Sequence, residues 1–507
     1  MVAGVTLVWG RAALRLALFC FAANLWAQSE EQARESQHAR ELMAAGKYEQ
    51  AIPIYQKLVA GLPGNTGMVL NLALAEHMAG QDRESIPNFE IVLKAQPNLV
   101  PALVALAQAR LALNEARAAI PPLEKAIAAD PKNRDAHRML AGALLDSGRF
   151  DQAAAQFREL SALWTDDPRA WYGLGMSYQG LAGSAFERLQ KTDPASPFVA
   201  ALVADTRVQR RQYRSAFFLY HEALKQLPNF HGIHAALAEV YRKTGHPEWA
   251  ADEDAREAAL PAADCRAHPA ECEFLAGHDV PLTAPARTPA PSMEALFWQA
   301  KAANELALQS FFRLGQLPES VEMHRLKAEI ARGQGRHMES VQEWRAALAL
   351  APENPRLKRE MAVSLFMATD YRAALDEATT LLKMEPRSAE LNFVAGDSLL
   401  RLEQPEPALP YLRAALASDP ALLAADASLG LALSRLGRSA EAIPHLQKAL
   451  ELDEDGSLHY QLAGAYRAAS QPEKARAMMA KYQEIVKRNQ DQKDEVAREA
   501  QIGPPGK

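Results

Sequence analysis

The chain has 507 residues, more than one ordinary hydrophobic core can organise, so several domains or a repeat array are expected. Hydrophobic residues make up 49% of it and charged residues 23%, a composition that excludes a largely disordered chain. The net charge of −6 and the absence of a basic stripe argue against nucleic acid as a partner.

Residues 1–27 have the features of a secretory signal peptide. Arg11 and Arg15 stand before and within an apolar run, Leu14 to Trp26, and polar sequence begins directly after Ala27. An uncleaved membrane anchor is the alternative, although the run is short for a bilayer span and contains an arginine. We therefore predict an exported chain, periplasmic or extracellular, that contacts a membrane only if this segment is retained.

A period of 34 residues runs through residues 30–260 and 293–487. Its anchor is a small residue followed four positions later by an aromatic residue or leucine, as in Ala51 and Tyr55. A second small residue precedes each anchor by twelve positions, and a proline that would end a helix follows most anchors by twelve. The anchors one full step apart are Ala51, Ser85, Ala119 and Ala153, then Ala216 and Ala250, in the first block, and Ser340, Ala374, Ala408 and Ala442 in the second.

Each unit is predicted to be a pair of antiparallel helices, because alanine and leucine favour helix and small residues let two helices cross closely. A single pair cannot bury its own apolar face, so the units must stack. The period, the paired small residues, the aromatic residue and the closing proline resemble the tetratricopeptide repeat (TPR). The resemblance implies an all-α, right-handed solenoid of stacked antiparallel helix pairs in two blocks, similar to large secreted bacterial TPR proteins.

Two units are shorter than the period. The step from Ala153 to Ala216 is five residues short of two periods, which predicts a compressed turn at 181–184 in a unit from Trp171 to Pro194. A second compressed unit is expected from Trp298 to Pro318. The first block is thus expected to hold about seven units and the second about six.

The segments outside the two blocks have a different composition. Residues 261–292 lack the helical period and become rich in proline towards their end, which predicts a linker. Residues 488–507 are charged and finish in Gly-Pro-Pro-Gly-Lys, so we expect a frayed helix end followed by a disordered tail.

Cys265 and Cys272 are the two cysteines outside the N-terminal segment. An exported chain meets an oxidising compartment, so a disulfide between them is favoured. Free thiols are one alternative. A metal site that adds His268 and His278 is another, but the spacing fits none of the familiar zinc patterns.

The sequence contains none of the common catalytic or cofactor motifs. There is no P-loop, no glycine-rich dinucleotide turn, no Gly-x-Ser-x-Gly, no His-Glu-x-x-His and no Cys-x-x-Cys-His. We therefore expect no enzyme, no cofactor and no metal ion. An enzyme with its site in residues 261–292 is disfavoured, because so short a segment cannot enclose a pocket unaided.

The TPR resemblance implies that a partner protein binds on the concave face, which the first helix of each unit lines. Positions just after the first small residue, and three further on, should point inward. The candidate partner-binding residues are Arg40, His77, Gln108, Arg138, Glu239, Arg242, Glu329, Arg332, Phe366, Asp397 and Arg467. We predict a non-catalytic scaffold or adaptor of the bacterial cell envelope that binds a partner peptide or helix. A tethered component of envelope assembly or polysaccharide export machinery is the alternative.

Overall fold

The computed structural model describes residues 30–280, 291–499 and 502–505. The expected signal segment, 1–27, lies outside these ranges. The chain divides into two compact units, Met1–Gly180 and Leu181–Lys507, and the expected linker at 261–292 lies inside the second. Within the described ranges, no helix is both long and apolar enough to cross a membrane.

The first unit consists of helix pairs, each corresponding to one 34-residue period, followed by a single long helix. Its helices are α1 (30–44), α2 (Tyr48–Gly61), α3 (Thr66–Met78), α4 (Asp82–Ala95), α5 (Val100–Ala112), α6 (Ala116–Ala129), α7 (Arg134–Asp146), α8 (Phe150–Leu163) and α9 (Pro168–Thr192), whose last turns belong to the second unit. In each pair the odd-numbered helix comes first.

The second unit repeats this arrangement with a short helix and a long helix between its two sets of pairs. Its helices are α10 (Pro197–Gln209), α11 (Tyr213–Gln226), α12 (Ile233–Lys243), α13 (Pro247–Ala259), α14 (Pro269–Leu275), α15 (Met293–Gly315), α16 (Val321–Gly333), α17 (His337–Leu350), α18 (Pro355–Met367), α19 (Tyr371–Leu382), α20 (Ala389–Arg401), α21 (Pro405–Ser418), α22 (Leu423–Arg435), α23 (Ser439–Ala449), α24 (Ser457–Ala468) and α25 (Pro472–Glu499). The predicted all-α solenoid of stacked helix pairs is confirmed.

Small residues lie where the paired helices cross. Ala39 and Ala51, which mark the first and second helices of the first pair, are both 0% exposed. Where the first small residue is glycine, the approach is closer still. A Cβ added to Gly430 would lie 2.7 Å from Cγ of Leu446 and 3.2 Å from its backbone nitrogen. The small side chains therefore set the distance between the helices of a pair.

The turn inside each pair contains one residue with a left-handed backbone. In six turns it is a glycine, such as Gly46 at φ 71°, which has no Cβ to oppose this conformation. Elsewhere a residue with a side chain adopts it: Asn114, Arg211, Thr369, Glu403 and Ser470, at φ values from 58° to 61°. The turn geometry is therefore kept even where the sequence lacks the glycine.

The two compressed units are not helix pairs, so the prediction of a compressed turn was wrong. Residues 181–184 lie inside α9, a continuous helix of 25 residues, and α15 is a continuous helix of 23 residues. Gly183 is helical and has no left-handed φ. Because the shortened sequence lacks the left-handed turn residue and has no internal proline, one helix replaces two.

The C-terminal segment is more ordered than predicted. Helix α25 continues to Glu499, so residues 488–499 are helical and the last helix extends twelve residues past the predicted end of the array at 487. Beyond it, Ile502 packs against the hydrophobic cluster of α10–α13. Tyr241 donates a hydrogen bond from its hydroxyl to the carbonyl of Gly503, at 2.8 Å. The end of the chain therefore folds back onto α12.

The need for glycine at the helix crossings can be tested by changing glycine to alanine at two positions, where opposite effects on stability are expected. Gly430→Ala should destabilise the second unit by about 1–3 kcal/mol, because the new methyl group overpacks against Leu446. Gly464→Ala, on the exposed side of α24 with no atom within 4 Å of the added Cβ, should stabilise it by roughly 0.5–1 kcal/mol. Thermal unfolding followed by circular dichroism measures both changes. Equal effects at the two positions would contradict the packing argument.

Candidate partner-binding surface

The predicted inward residues differ in how available they are to a partner. Four of them have exposed side chains: Arg40 on α1, Gln108 on α5, Arg242 on α12 and Arg467 on α24. The others are half-buried or, in the case of Asp397, fully buried. Exposure alone therefore separates surface positions from positions with a packing role.

Intramolecular ion pairs engage several of the predicted arginines. Arg242 contacts Glu239 at 3.2 Å and Asp254 at 2.8 Å. Its hydrogen bond to Glu239 lowers the pKa of that carboxyl group below its usual value. Arg332 reaches Glu360 on the next first helix, α18, at 2.7 Å. Such exposed or half-exposed pairs contribute little to stability, but they fix the orientation of the side chains.

In the first unit, His77 and Arg138 are bound to neighbouring acidic groups. His77 Nδ1 lies 2.5 Å from Asp82 Oδ1 at the start of the second helix of the same pair. Arg138 forms ion pairs with Asp135 and, at 3.7 Å, with the buried Asp167. These contacts hold both side chains against the protein.

Phe366 and Asp397 join one first helix to the next. The Phe366 ring on α18 meets Phe393 on α20 in an edge-to-face contact, with centroids 5.9 Å apart. Asp397 on α20 is 2% exposed. It accepts a hydrogen bond from Ser428 Oγ on α22, at 2.7 Å. The structure thus brings these two predicted residues together with neighbours on the following unit.

Sequence reasoning missed those neighbours: Glu360, Phe393 and Ser428. All three lie two or three positions before the first small residue of their own unit. Helical periodicity places this position on the same face as the inward residues one or two turns further on. The repeat register could therefore have identified these positions as lying on the inward face. Which residues of successive units contact each other, however, depends on how far the units are displaced along one another.

Exposed apolar side chains accompany some of the predicted inward residues. On α24, Tyr460 is 53% exposed and lies seven residues, about two helical turns, before Arg467. Met78 directly follows His77 on α3, Met367 directly follows Phe366 on α18, and both are exposed. The surface of the first helices therefore offers arginine, methionine and tyrosine side chains, which are typical of protein interfaces.

The segment between the two sets of pairs in the second unit is a folded element with a disulfide. The Cys265 and Cys272 sulfur atoms are bonded at 2.08 Å, and α14 packs against α15 through Phe274 and Trp298, whose ring centroids are 4.8 Å apart. Among the described residues, three metal-ligating side chains converge here: His268, Glu271 and Glu294. This group contains neither cysteine.

Comparison with known proteins identifies the family. Two family models described as tetratricopeptide repeat match the chain, one over residues 111–175 and the other over residues 36–99, 359–422, 393–456 and 427–492. Together the matched ranges take in just over half of the sequence. The chain belongs to the tetratricopeptide repeat family, whose members generally bind protein partners.

Solved structures of TPR proteins resemble parts of the chain. MamA (41-end) from Desulfovibrio magneticus RS-1 is 26% identical, covering 34% of this chain and 97% of its own, with a TM-score of 0.31. The thermophilic TPR protein TTC0263 of Thermus thermophilus is 21% identical, covering 36% and 98%, with a TM-score of 0.29. YrrB, a TPR protein with an unusual peptide-binding site, is 22% identical, covering 33% and 86%, with a TM-score of 0.28. None of the curated proteins matches the chain.

The structural role of Asp397 is testable against an exposed inward residue. Asp397→Ala should lower the free energy of unfolding by about 1–3 kcal/mol, because it removes a buried hydrogen-bonded carboxylate and leaves Ser428 without its acceptor. Arg467→Ala should change it by less than about 0.5 kcal/mol, as exposed substitutions usually do. Chemical denaturation measures both. A neutral Asp397→Ala would show that the carboxylate is not needed for packing.

Proposed function

We propose that this chain is a non-catalytic scaffold of the bacterial cell envelope, binding a segment of a partner protein on the first helices of its units. The observation that carries the proposal is the TPR array itself, a fold that generally acts as an interaction scaffold. The exposed arginines and neighbouring apolar side chains of the first helices supply the contact surface.

Arg467 and Tyr460 on α24 are the best-placed contact residues in the second unit. Both are exposed, and the repeat places them on one face of a first helix. In the first unit, Arg40 on α1 is an exposed inward arginine as well, one position after the small residue Ala39. A partner segment that combines acidic and apolar side chains suits such a surface, since arginine pairs with carboxylates and tyrosine and methionine pack against apolar groups.

Two observations support export to the envelope. The sequence of residues 1–27 has the order of a charged start, an apolar run and a small residue that is typical of secretory signals. The disulfide between Cys265 and Cys272 belongs to a type of bond that persists in oxidising compartments. If the N-terminal segment is retained, the scaffold is tethered to the membrane.

Charge reversal on the first helices, compared with charge reversal on the second helices, tests the proposal. The full chain is produced in a bacterial host with its N-terminal segment, crosslinked in intact cells and purified with its partner. Arg467→Glu and Arg40→Glu should each weaken partner recovery about tenfold or more. The matched controls, Arg345→Glu on α17 and Arg117→Glu on α6, alter exposed arginines of second helices and should leave recovery unchanged.

Two outcomes would contradict the proposal. Equal losses in the control variants would mean that the first helices are not the binding surface. Recovery of no partner, together with turnover of a substrate by the purified chain, would mean that the protein is an enzyme. Fractionation of the same cells tests the location, since accumulation in the cytoplasm would contradict export.

A further inference from the structure

A cluster of histidine and glutamate side chains lies at the junction of three segments of the second unit. His268 directly precedes α14, Glu271 lies in the first turn of α14, and Glu294 lies in the first turn of α15. One potential ligand atom from each residue lies within 4.8 Å of the other two. His231, from the loop before α12, contacts Glu271, with Nδ1 2.8 Å from Oε1.

The backbone that carries the cluster is held by contacts outside it. The disulfide joins Cys265 to Cys272 and so closes a short loop that contains both His268 and Glu271. Trp298, 1% exposed, packs against Phe274 and fixes α14 on α15. The side chains therefore converge without needing a ligand to organise the chain, which lowers the entropic cost of binding one.

The carboxylates of the cluster form their ion pairs with histidines. Glu271 has a side chain only 7% exposed and pairs with His231. Glu294 pairs with His268, whose Nδ1 lies 2.7 Å from Oε2. The cluster therefore brings two carboxylates and two imidazoles together.

One carboxylate oxygen of the cluster has no hydrogen-bond partner among the described residues. Oε1 of Glu294 is buried and accepts no hydrogen bond from the described residues, an arrangement that is costly for a carboxylate oxygen. The contact between His268 and Glu294 involves Oε2 of the carboxylate and leaves Oε1 without a hydrogen-bond donor. A cation placed between the imidazole and the two carboxylates would supply the missing interaction and balance the two negative charges.

We propose that His268, Glu271 and Glu294 bind one divalent metal ion, with His231 orienting Glu271 from behind. Imidazole nitrogen with carboxylate oxygen is a donor set that suits Zn²⁺, and a histidine–carboxylate contact behind a ligand is a usual support of such sites. In a tetrahedral site with ligands about 2.0–2.2 Å from zinc, the ligand atoms lie roughly 3.3–3.6 Å apart, so the widest separation in the cluster, at most 4.8 Å, closes by up to about 1.5 Å around the ion. His268 is exposed, which leaves a path for the ion and a position for water.

The proposed ion would join α14 to α15 beside the disulfide. The ligands come from both sides of the proline-rich stretch that separates these two helices in sequence. Metal binding would therefore stabilise the junction between the two sets of helix pairs, because an ion that binds only the folded arrangement adds its binding free energy to stability.

Zinc titration of the full-length, oxidised chain tests the site directly. The chain is treated with a chelator, dialysed, and titrated with Zn²⁺ by calorimetry under non-reducing conditions. We expect one ion to bind, and expect Glu294→Gln and His268→Asn each to weaken binding tenfold or more. The matched controls are Glu248→Gln and His246→Asn, a neighbouring glutamate and histidine outside the cluster, which should bind zinc as the unchanged chain does.

A second measurement separates a binding loss from misfolding. Saturating Zn²⁺ should raise the unfolding temperature of the chain and of both controls, but not that of the two cluster variants, whose helix content in circular dichroism should be unaltered. Absence of a one-to-one binding event, or an equal loss in control and cluster variants, would overturn the proposal. Neither result depends on the partner-binding surface of the first helices.

Discussion

The close crossing of two helices at a small residue is the contact on which the rest of the structure depends. Ala39 and Ala51 are fully buried, and the alanines and serines at the same register positions of later pairs are at most 5% exposed. A larger residue would force the helices apart, and leucine or an aromatic residue from the partner helix already occupies the space beside them. Since one pair cannot bury its apolar face alone, this local contact leads to a stacked array.

Stacking divides the first-helix residues into two groups with different roles. Some inward side chains reach the next unit, as Phe366 does at Phe393 and Asp397 at Ser428, and hold successive helices together. Others, such as Arg467, remain exposed and are available to a partner. The same helix face therefore holds successive units together and, in the proposed function, binds the partner. A substitution in the first group is expected to affect stability, and one in the second group is expected to affect recognition.

The sequence was sufficient for the features that repeat. Small residues, turn glycines and prolines recur at fixed positions, so the helix pairs and their register could be predicted. Features that occur once were harder to predict. Residues 181–184 were expected to form a turn between two helices, but they lie inside one long helix, α9. The prediction failed because the loss of five residues does not show whether a turn is shortened or removed. The fold-back of the chain end to Tyr241 depends on tertiary contact, as does the grouping of His268 with Glu294, and no periodic pattern indicates such contacts.

The proposed function requires a partner protein to bind on the first helices of the units. Hydrogen–deuterium exchange of the full-length chain, with and without its purified partner, measures this most directly. We expect slower exchange in first helices such as α24 and α1 when the partner is bound, with the paired second helices little changed. Protection confined to second helices, or to the segment around α14, would contradict it.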